Sequence, residues 1–330
     1  MNNESLIPLT LTLLFFLELV YFRLADRFNI IDKPNHRSSH HKITIRGGGI
    51  IFFFAALLWF IYSGYESLYF IIALSLISAI SFLDDLLTLK SGLRSLVHLI
   101  AVVLLLIQLN INMLWLWPFL LVLIIGTINA YNFMDGTNGI TGAYSLVALG
   151  TLYSVNRSII EFSSESLLVV SILSILVFLF FNFRKVARCF AGDVGSVSIA
   201  FIIIFLLGQL VSKTSNFMYL GFLLIYGLDT VTTIIFRLYR GENIFEAHRS
   251  HFYQHLANER KWPHLKVALL YAAVQGILNL TIISFCTNVS TEESFLMLFL
   301  IALISASSFI LLRFYVEGKN KLLRRTPPVN

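Results

Sequence analysis

The sequence predicts an all-α polytopic membrane protein with about eleven transmembrane helices. Hydrophobic residues make up 57% of the 330 residues, and the mean hydropathy is +0.81. Charged residues make up only 13%, about half of the roughly 25% that is usual in soluble domains. Eleven apolar runs approach the length of about 20 residues that a helix needs to cross a bilayer. Lipid is therefore the expected main solvent of the chain.

The predicted spans follow one another along the chain. We expect a single integral-membrane domain over residues 1–330, in which residues 313–330 form a cytoplasmic basic tail. The first run is not a cleaved signal peptide, because it lacks a basic start and a small-residue cleavage site. The spans are predicted at 5–24, 47–64, 67–83, 95–109, 112–129, 140–154, 166–183, 196–212, 217–236, 265–286 and 294–312.

The basic residues divide the loops into two alternating sets. Of the 24 Lys and Arg residues, all except Arg157 and Lys213 lie in one set. Short basic loops stay in the cytoplasm, so the N-terminus is predicted outside and the C-terminus in the cytoplasm. The placement of the net charge of +6 in these loops argues against nucleic-acid binding. Two cysteines, Cys189 and Cys286, are too few for a disulfide framework.

The third inner loop, from Asn132 to Gly139, combines a carboxylate, amides, a hydroxyl and two glycines between two apolar runs. Such a polar cluster beside lipid is costly unless it has a function. Asp135 with Asn132 and Asn138 can orient a metal or a sugar hydroxyl. A simple turn is the alternative interpretation, because Asn, Asp and Gly favour turns.

The second inner loop begins with Asp84 and Asp85 at the end of an apolar run. Adjacent carboxylates repel each other unless a cation or a proton intervenes. Mg²⁺ takes one or two carboxylates together with substrate phosphate oxygens, so this pair is a candidate metal site. Lys90 and Arg94 follow and can hold phosphate. The alternative is a solvated helix cap.

The fourth and fifth inner loops carry further candidates. Asp193 stands at the start of a predicted span, where a helix dipole favours an acid. Basic residues before Asp193 suit a diphosphate, and Phe190 can stack on a base. His248, His251 and His255 have the i, i+3, i+7 spacing of one helical face. No cysteine lies close to them in sequence, so phosphate contact is favoured over structural zinc.

Two further features have an ambiguous pattern. Gly47-Gly48-Gly49 opens the second span, where glycine N–H groups can approach an anion, or where a flexible hinge follows a positively charged anchor. Glu18 and Asp229 fall inside spans, and intramembrane acids are functional candidates. We expect a hydrogen-bonded packing role for Glu18 and a supporting role close to the site for Asp229.

Together, the five loops resemble the polyprenyl-phosphate N-acetylhexosamine-1-phosphate transferase superfamily, of the glycosyltransferase family 4 type. This group includes the undecaprenyl-phosphate GlcNAc-1-phosphate transferases and phospho-MurNAc-pentapeptide translocase. The stretches Arg37-Ser38-Ser39-His40 and Ala247-His248-Arg249-Ser250-His251 look most like the bacterial enzymes that initiate O-antigen on undecaprenyl phosphate. The other motifs that carry the resemblance are Asp84-Asp85, Asn132 to Gly139, Asn182, and Phe190 to Ser196.

The resemblance implies a role for each matching residue. Asp193 would be the principal ligand of Mg²⁺, with Mn²⁺ as the alternative metal, and Asp84 and Asp85 would be the acidic pair at the metal and the lipid phosphate. These three residues and His248 are the implied catalytic residues. The residues implied to bind substrate are Asn132, Asp135, Thr137, Asn138, Asn182, Phe190 (stacking on uracil), Arg46, Arg249 and His251.

The expected reaction moves N-acetylhexosamine-1-phosphate from a UDP-N-acetylhexosamine to polyprenyl phosphate and releases UMP. It would be the first membrane step of O-antigen or a related cell-envelope glycan. The implied location is the bacterial cytoplasmic membrane, among membrane lipid, with the active site facing the cytoplasm; a homodimer is compatible with the sequence. The alternative is a transporter of an anionic solute, whose polar site would lie near mid-membrane.

Overall fold

The computed structural model describes residues 3–32, 43–87, 89–244, 246, 248–286 and 289–324, with only the backbone described for residues 3–6. The stretch Arg37-Ser38-Ser39-His40 and Ala247, which contribute to the family resemblance, lie outside the described residues. So do residues 325–330 of the predicted tail.

The described chain is almost entirely helical, which confirms the all-α prediction. The only sheet within the described ranges has two short antiparallel strands, in which Ile31 pairs with Ile45 and Asp32 with Thr44. A π-helical turn, His255–Glu259, follows α10. The elements are α1 (Asn3–Arg27), β1 (Ile31–Asp32), β2 (Thr44–Ile45), α2 (Ile50–Tyr62), α3 (Leu68–Leu87), α4 (Ser91–Gln108), α5 (Trp117–Met134), α6 (Ile140–Ser158), α7 (Glu165–Asn182), α8 (Gly192–Thr214), α9 (Leu224–Arg240), α10 (Phe252–Gln254), α11 (His264–Phe285), α12 (Thr291–Glu317) and α13 (Lys319–Leu323).

Each of the eleven predicted spans corresponds to a helix. Nine helical segments of the described chain are long and apolar enough to cross a membrane. The two other helices are α2, which has only 13 residues, and α6, whose 19 residues include Asn156 and Arg157. The protein is therefore a polytopic membrane protein, as predicted. The orientation of its termini stays a prediction.

The last span is longer than predicted. α12 continues to Glu317, and α13 follows at once, so the predicted tail begins inside a helix. Arg313 is buried and pairs with Glu317 at 2.5 Å. Because the two opposite charges compensate each other, the helix continues past residue 312 although its apolar pattern stops there.

α8 is the central helix of the bundle. A helix that is apolar on all sides is usually buried on all sides, and 83% of the most apolar stretch of α8 is buried. Helices α2, α3, α5 and α6 pack around it. By contrast, 0% of the corresponding stretch of α12 is buried, so α12 lies at the periphery. Asp193 occupies the first turn of the central helix.

The five loops that share basic residues meet at one end of the bundle, which we call the loop end. The third and fourth loops are joined where the N–H of Gly139 donates to Asn182 at 2.7 Å. The third and fifth loops are joined where the hydroxyl of Tyr253 donates to the carbonyl of Phe133 at 2.9 Å. The first and second loops contact the start of α8. The predicted grouping of these loops is thus present in the fold.

Candidate active site

A short backbone ladder between the first and fourth loops fixes the start of α8. The N–H of Phe190 donates to the carbonyl of Ile45 at 2.8 Å. The N–H groups of Gly48 and Gly49 donate to the carbonyls of Phe190 and Ala191 at 2.8 and 3.1 Å. The expectation that these N–H groups approach an anion is therefore wrong for Gly48 and Gly49, because backbone carbonyls already bind them.

Glycines are required where α2, α3 and α8 meet. A Cβ atom on Gly49 would lie 2.3 Å from the Cα atom of Gly195. Gly192 has a φ of +70°, and a Cβ atom there would lie 2.6 Å from Oδ2 of Asp85. Because these positions lack side chains, two helices can begin in contact and Asp85 can reach the backbone of α8.

Asp85 closes the N-terminus of α8. Its two carboxylate oxygens accept the N–H groups of Asp193 and Val194, each at 3.0 Å. Nε of Arg46 lies 2.6 Å from Oδ1 of Asp85, whose side chain is fully buried. An acid at this position satisfies otherwise unpaired N–H groups and is stabilised by the helix dipole by about 0.3–1 kcal/mol. Asp85 thereby orients both Asp193 and Arg46.

Asp84 and Asp193 share one arginine. Nη1 of Arg94 lies 2.5 Å from Oδ2 of Asp84 and 3.6 Å from Oδ2 of Asp193. Nη2 of Arg46 lies 3.7 Å from Oδ1 of Asp193. Three carboxylates and two arginines therefore gather at the start of α8. Asp193 has the longest of these contacts, so its carboxylate is the least committed of the three.

The donor set at the start of α8 suits Mg²⁺. No group of three or more His, Cys, Asp or Glu side chains in the described chain forms a ready-made metal site. Mg²⁺, however, needs only one or two carboxylates and completes its shell with water and substrate phosphate. Asp193 and Asp84 have side chains that are 22% and 11% exposed, and the Asn132 side chain hydrogen-bonds Asp193. Asp85 already binds internal donors through both oxygens.

The end of α5 lies beside this acidic cluster. The predicted third loop begins later than expected, because Asn132 and Met134 still belong to α5. Nδ2 of Asn132 donates to the hydroxyl of Ser196 in α8 at 3.2 Å. Asn132 therefore contacts both the first turn of α8 and the carboxylate of Asp193.

Asp135 follows α5 and is half-buried. The hydroxyl of Thr141 donates to Oδ1 of Asp135 at 2.7 Å. Burial, together with the negative charges of Asp193 and Asp85, raises the pKa of Asp135 to about 7. Asp135 is therefore close to half-protonated at neutral pH.

Asn138 and Asn182 brace the third loop against the fourth. Nδ2 of Asn138 donates to the carbonyl of Arg184 at 2.8 Å. The amide of Asn182 accepts the N–H of Gly139 at 2.7 Å and donates to the carbonyl of Cys189 at 2.8 Å. Both ends of this amide are thus used internally. Direct contact of these two residues with a nucleotide sugar stays a prediction.

The histidines of the fifth loop do not form the predicted helical face. α10 begins only at Phe252, so that prediction is wrong. The rings of His248 and His251 instead stack at 5.1 Å, with an angle of 27° between their planes. His255 lies in the π-helical turn, where its Nδ1 is 2.7 Å from Nζ of Lys321. Burial and nearby positive charge lower the pKa of His248 to about 4, so its ring is neutral at pH near 7.

Several buried polar atoms beside these histidines lack a hydrogen-bond partner in the part of the chain that the structure describes. They are Nε and Nη2 of Arg249, Nε2 of His251 and the hydroxyl of Thr137, whereas Nδ1 of His251 lies 3.4 Å from Oδ1 of Asp229. Buried polar groups are almost always paired, so such atoms call for a ligand. A guanidinium group with two free N–H groups suits bidentate binding of phosphate.

The two intramembrane acids contact loops that carry site residues. Asp229 accepts the N–H groups of Phe252 and Tyr253 at 2.9 and 3.2 Å, and the hydroxyl of Tyr271 at 2.5 Å. It therefore holds the fifth loop, in the supporting role expected for it. Glu18 is buried, and its Oε1 accepts the thiol of Cys189 at 3.7 Å.

Sequence patterns gave no sign of Tyr21, an aromatic residue within an apolar run. Its hydroxyl donates to the carbonyl of Arg46 at 2.6 Å and so anchors the segment that pairs with Asp85. A tyrosine in an apolar helix usually serves packing, and only the fold reveals this contact.

The end of α5 also connects the acidic cluster with the histidines. The ring of Phe133 lies 6.2 Å from that of His251, whereas Asn132 contacts Asp193. Phe190 is half-buried beside the ladder, and its stacking on uracil stays a prediction. The structure thus brings most predicted site residues to the loop end, in an acidic part and a histidine part.

Fold and site together define an integral-membrane protein with a cluster of carboxylates and arginines at one end of its helices. The sequence model of the family described as "Glycosyl transferase family 4" matches residues 67–210, which include Asp84, Asp85 and Asp193. Over residues 67–210 the chain thus resembles this family, and the match supports the polyprenyl-phosphate N-acetylhexosamine-1-phosphate transferase superfamily.

Similar proteins of known name support this assignment. A Bacillus subtilis protein, "Probable undecaprenyl-phosphate N-acetylglucosaminyl 1-phosphate transferase", is 28% identical over 76% of this chain and 75% of its own length. The "Undecaprenyl-phosphate alpha-N-acetylglucosaminyl 1-phosphate transferase" of Salmonella typhi is 28% identical over 78% of this chain and 76% of its own. The "Phospho-N-acetylmuramoyl-pentapeptide-transferase" of Thermotoga petrophila is 26% identical over 72% and 82%.

Proposed function

We propose that the protein transfers N-acetylhexosamine-1-phosphate from a UDP-N-acetylhexosamine to polyprenyl phosphate, with release of UMP. The names of two similar proteins contain undecaprenyl phosphate and an N-acetylglucosaminyl 1-phosphate group, which supports this acceptor and this class of transferred group. The observation that carries the proposal is the gathering of carboxylates and arginines at the start of α8, together with unpaired donors in the fifth loop. We call the fifth loop, which contains His248, His251 and His255, the histidine loop.

The chemistry asks mainly for charge neutralisation and positioning. The acceptor is a phosphate monoester with a second pKa of about 6, so it is largely ionised at neutral pH and needs no strong base. Arg46 and Arg94 offset the repulsion between the acceptor and the diphosphate of the donor. Mg²⁺ or Mn²⁺, when held by Asp193 and Asp84, would add positive charge at the phosphate oxygens. Asp85 keeps Asp193 and Arg46 in place.

The histidine loop would bind the donor. Arg249 offers unpaired N–H groups for the diphosphate, and Nε2 of His251 is free to contact the diphosphate or the sugar. His248 is neutral near pH 7, so its contribution is a hydrogen bond rather than a positive charge. In the third loop, the unpaired hydroxyl of Thr137 and the carboxylate of Asp135 would offer a sugar hydroxyl a donor and an acceptor.

The loop end would face the cytoplasm of a bacterial inner membrane. This orientation is supported by the basic residues of these loops and by the bacterial origin of the similar proteins. The lipid-linked product would begin O-antigen or a related cell-envelope glycan.

Membranes containing the protein, incubated with undecaprenyl phosphate and labelled UDP-sugars, test the proposal. UDP-linked GlcNAc, GalNAc, FucNAc and QuiNAc would be compared. We expect lipid-linked sugar and UMP to form in equal amounts from one preferred donor, to disappear with EDTA and to return with Mg²⁺. Absence of lipid product from every donor would contradict the proposal, and solute uptake without lipid product would favour a transporter.

A further inference from the structure

A buried ion pair lies near the C-terminal end of α12. The side chains of Arg313 and Glu317 are 1% and 2% exposed, and Nε lies 2.5 Å from Oε1. The most apolar stretch of the same helix is 0% buried. Taking two charges out of water is costly unless their attraction and further hydrogen bonds compensate. Such a pair in a peripheral helix therefore needs a reason.

The guanidinium group of Arg313 connects three parts of the protein. Nη1 donates to the hydroxyls of Thr232 and Thr233 in α9, at 3.0 and 2.8 Å. Nη2 donates to the carbonyl of Ser250 in the fifth loop at 2.8 Å. The hydroxyl of Thr233 in turn donates to Oδ1 of Asp229 at 3.2 Å. One side chain thus fixes α12, α9 and the fifth loop relative to one another.

Asp229 connects Thr233 with the histidine loop. Its Oδ1 lies 3.4 Å from Nδ1 of His251 and accepts the N–H of Phe252 at 2.9 Å. Nε2 of His251 is buried, with no hydrogen-bond partner among the residues described. An imidazole that is held on one side by a carboxylate presents its other nitrogen in a fixed direction.

We infer that Arg313 is a positioning residue for the histidine loop. Through Ser250, Thr233 and Asp229 it sets the direction in which His251 faces the substrate. The expected effect of Arg313 on turnover rests on the proposed function. Its effect on the geometry of the histidine loop does not. The residue belongs to the segment for which the sequence predicted only a basic tail.

Kinetics of the Arg313→Met variant test the effect on turnover. Methionine keeps an apolar stem but removes every donor, so kcat should fall on the order of tenfold or more, as for other residues that orient a functional histidine. KM for the UDP-sugar should rise as well, because His251 is proposed to contact the donor both before and during transfer. Arg313→Lys should recover part of the activity. Arg324→Met is the matched control, since Arg324 is exposed on the same C-terminal segment, and it should behave like the wild type.

Hydrogen–deuterium exchange separates the geometry from the chemistry. Arg313→Met should speed exchange of the amides of Phe252 and Tyr253, which Asp229 protects, and leave the start of α8 protected. Unchanged exchange of the Phe252 and Tyr253 amides, or an unchanged kcat, would overturn the inference. If the variant does not accumulate in membranes, Thr233→Val carries the same two measurements. A wild type that is inactive on every donor would overturn only the proposed function, because exchange needs no turnover.

Discussion

At the scale of single residues, the adjacent acids Asp84 and Asp85 make different contacts. Asp84 is paired with Arg94 and remains 11% exposed, whereas Asp85 is enclosed and binds the backbone of α8 and Arg46. Two adjacent carboxylates avoid mutual repulsion because each has its own cation. The resemblance implied the same metal role for both residues, but the contacts favour Asp84 for the metal and Asp85 for positioning.

Asp135 gives a pH-dependent prediction for stability. Its pKa is raised to about 7, so the folded protein keeps a proton that the unfolded chain releases above about pH 4. Stability must therefore fall as the pH rises from about 4 to 7, and the destabilisation is complete above pH 7. Asp135→Asn has no such charge, so its Tm should exceed that of the wild type on the order of several degrees at about pH 8 and differ little at about pH 4.

Thermal unfolding of the purified, EDTA-treated protein in detergent would measure this difference. Asp26→Asn is the control, because Asp26 is exposed at the end of α1. A Tm difference between Asp135→Asn and the wild type that does not depend on pH would show that Asp135 ionises normally.

At the scale of elements, the contact between α2 and α8 sets the geometry of the acidic cluster. Gly49→Ala would place a Cβ atom 2.3 Å from the Cα atom of Gly195 and 3.0 Å from the carbonyl of Ala191. Backbone atoms cannot move aside without shifting a helix, so we expect a loss of about 1–3 kcal/mol in stability together with most of the transferase activity.

Gly150→Ala in α6 is the matched control for this substitution. Nothing lies within 4 Å of a Cβ atom at Gly150, so alanine should leave activity unchanged and stabilise the helix by about 0.5–1 kcal/mol. The measurements are Tm in detergent and UMP release. If Gly49→Ala matched Gly150→Ala in both, the close helix contact would not be required.

The helices themselves were predictable from sequence, because apolar runs of sufficient length have few other stable structures in lipid. The position of Asp193 at a helix start was predictable because an apolar run follows it directly. The contact of Gly49 with Gly195 was not, since it joins segments far apart in sequence. The helical face predicted for the fifth-loop histidines failed because Asp229 binds N–H groups only from Phe252 onward.

The end of α12 was also misjudged from sequence. The run of apolar residues stops at Arg313, but Glu317 follows at i+4 and compensates its charge. A basic residue followed four positions later by an acid, next to a span, is the signal that could have extended the helix. The threonines whose hydroxyls accept hydrogen bonds from Arg313 lie in another helix and could not be recognised in advance.

At the scale of the whole molecule, a network of paired polar side chains lies away from the loop end. Gln275 accepts the hydroxyl of Tyr144 at 2.6 Å and the N–H of Ile225 at 3.0 Å, and it donates to Asn279 at 2.7 Å. Such satisfied contacts hold α6, α9 and α11 together. They do not resemble a solute site, whereas the unpaired guanidinium N–H groups of Arg249 lie at the loop end.

The orientation of the molecule can be tested by cysteine labelling in intact cells. The native Cys189 and Cys286 are buried, so they should not react with a membrane-impermeant thiol reagent. Exposed Lys213 and Lys261 lie at opposite ends of the bundle. Lys213→Cys should react in intact cells and Lys261→Cys only after permeabilisation, because basic loops stay inside. The opposite pattern would place the site on the outer face.

Binding of Mn²⁺ in the presence of a UDP-sugar, followed by electron paramagnetic resonance, tests most directly whether the carboxylates at the start of α8 hold a divalent cation. The wild type and Asp26→Asn should bind Mn²⁺ alike, whereas Asp193→Asn should bind it on the order of tenfold more weakly or not at all. Binding to Asp193→Asn as tight as to the wild type would contradict a metal site at this position.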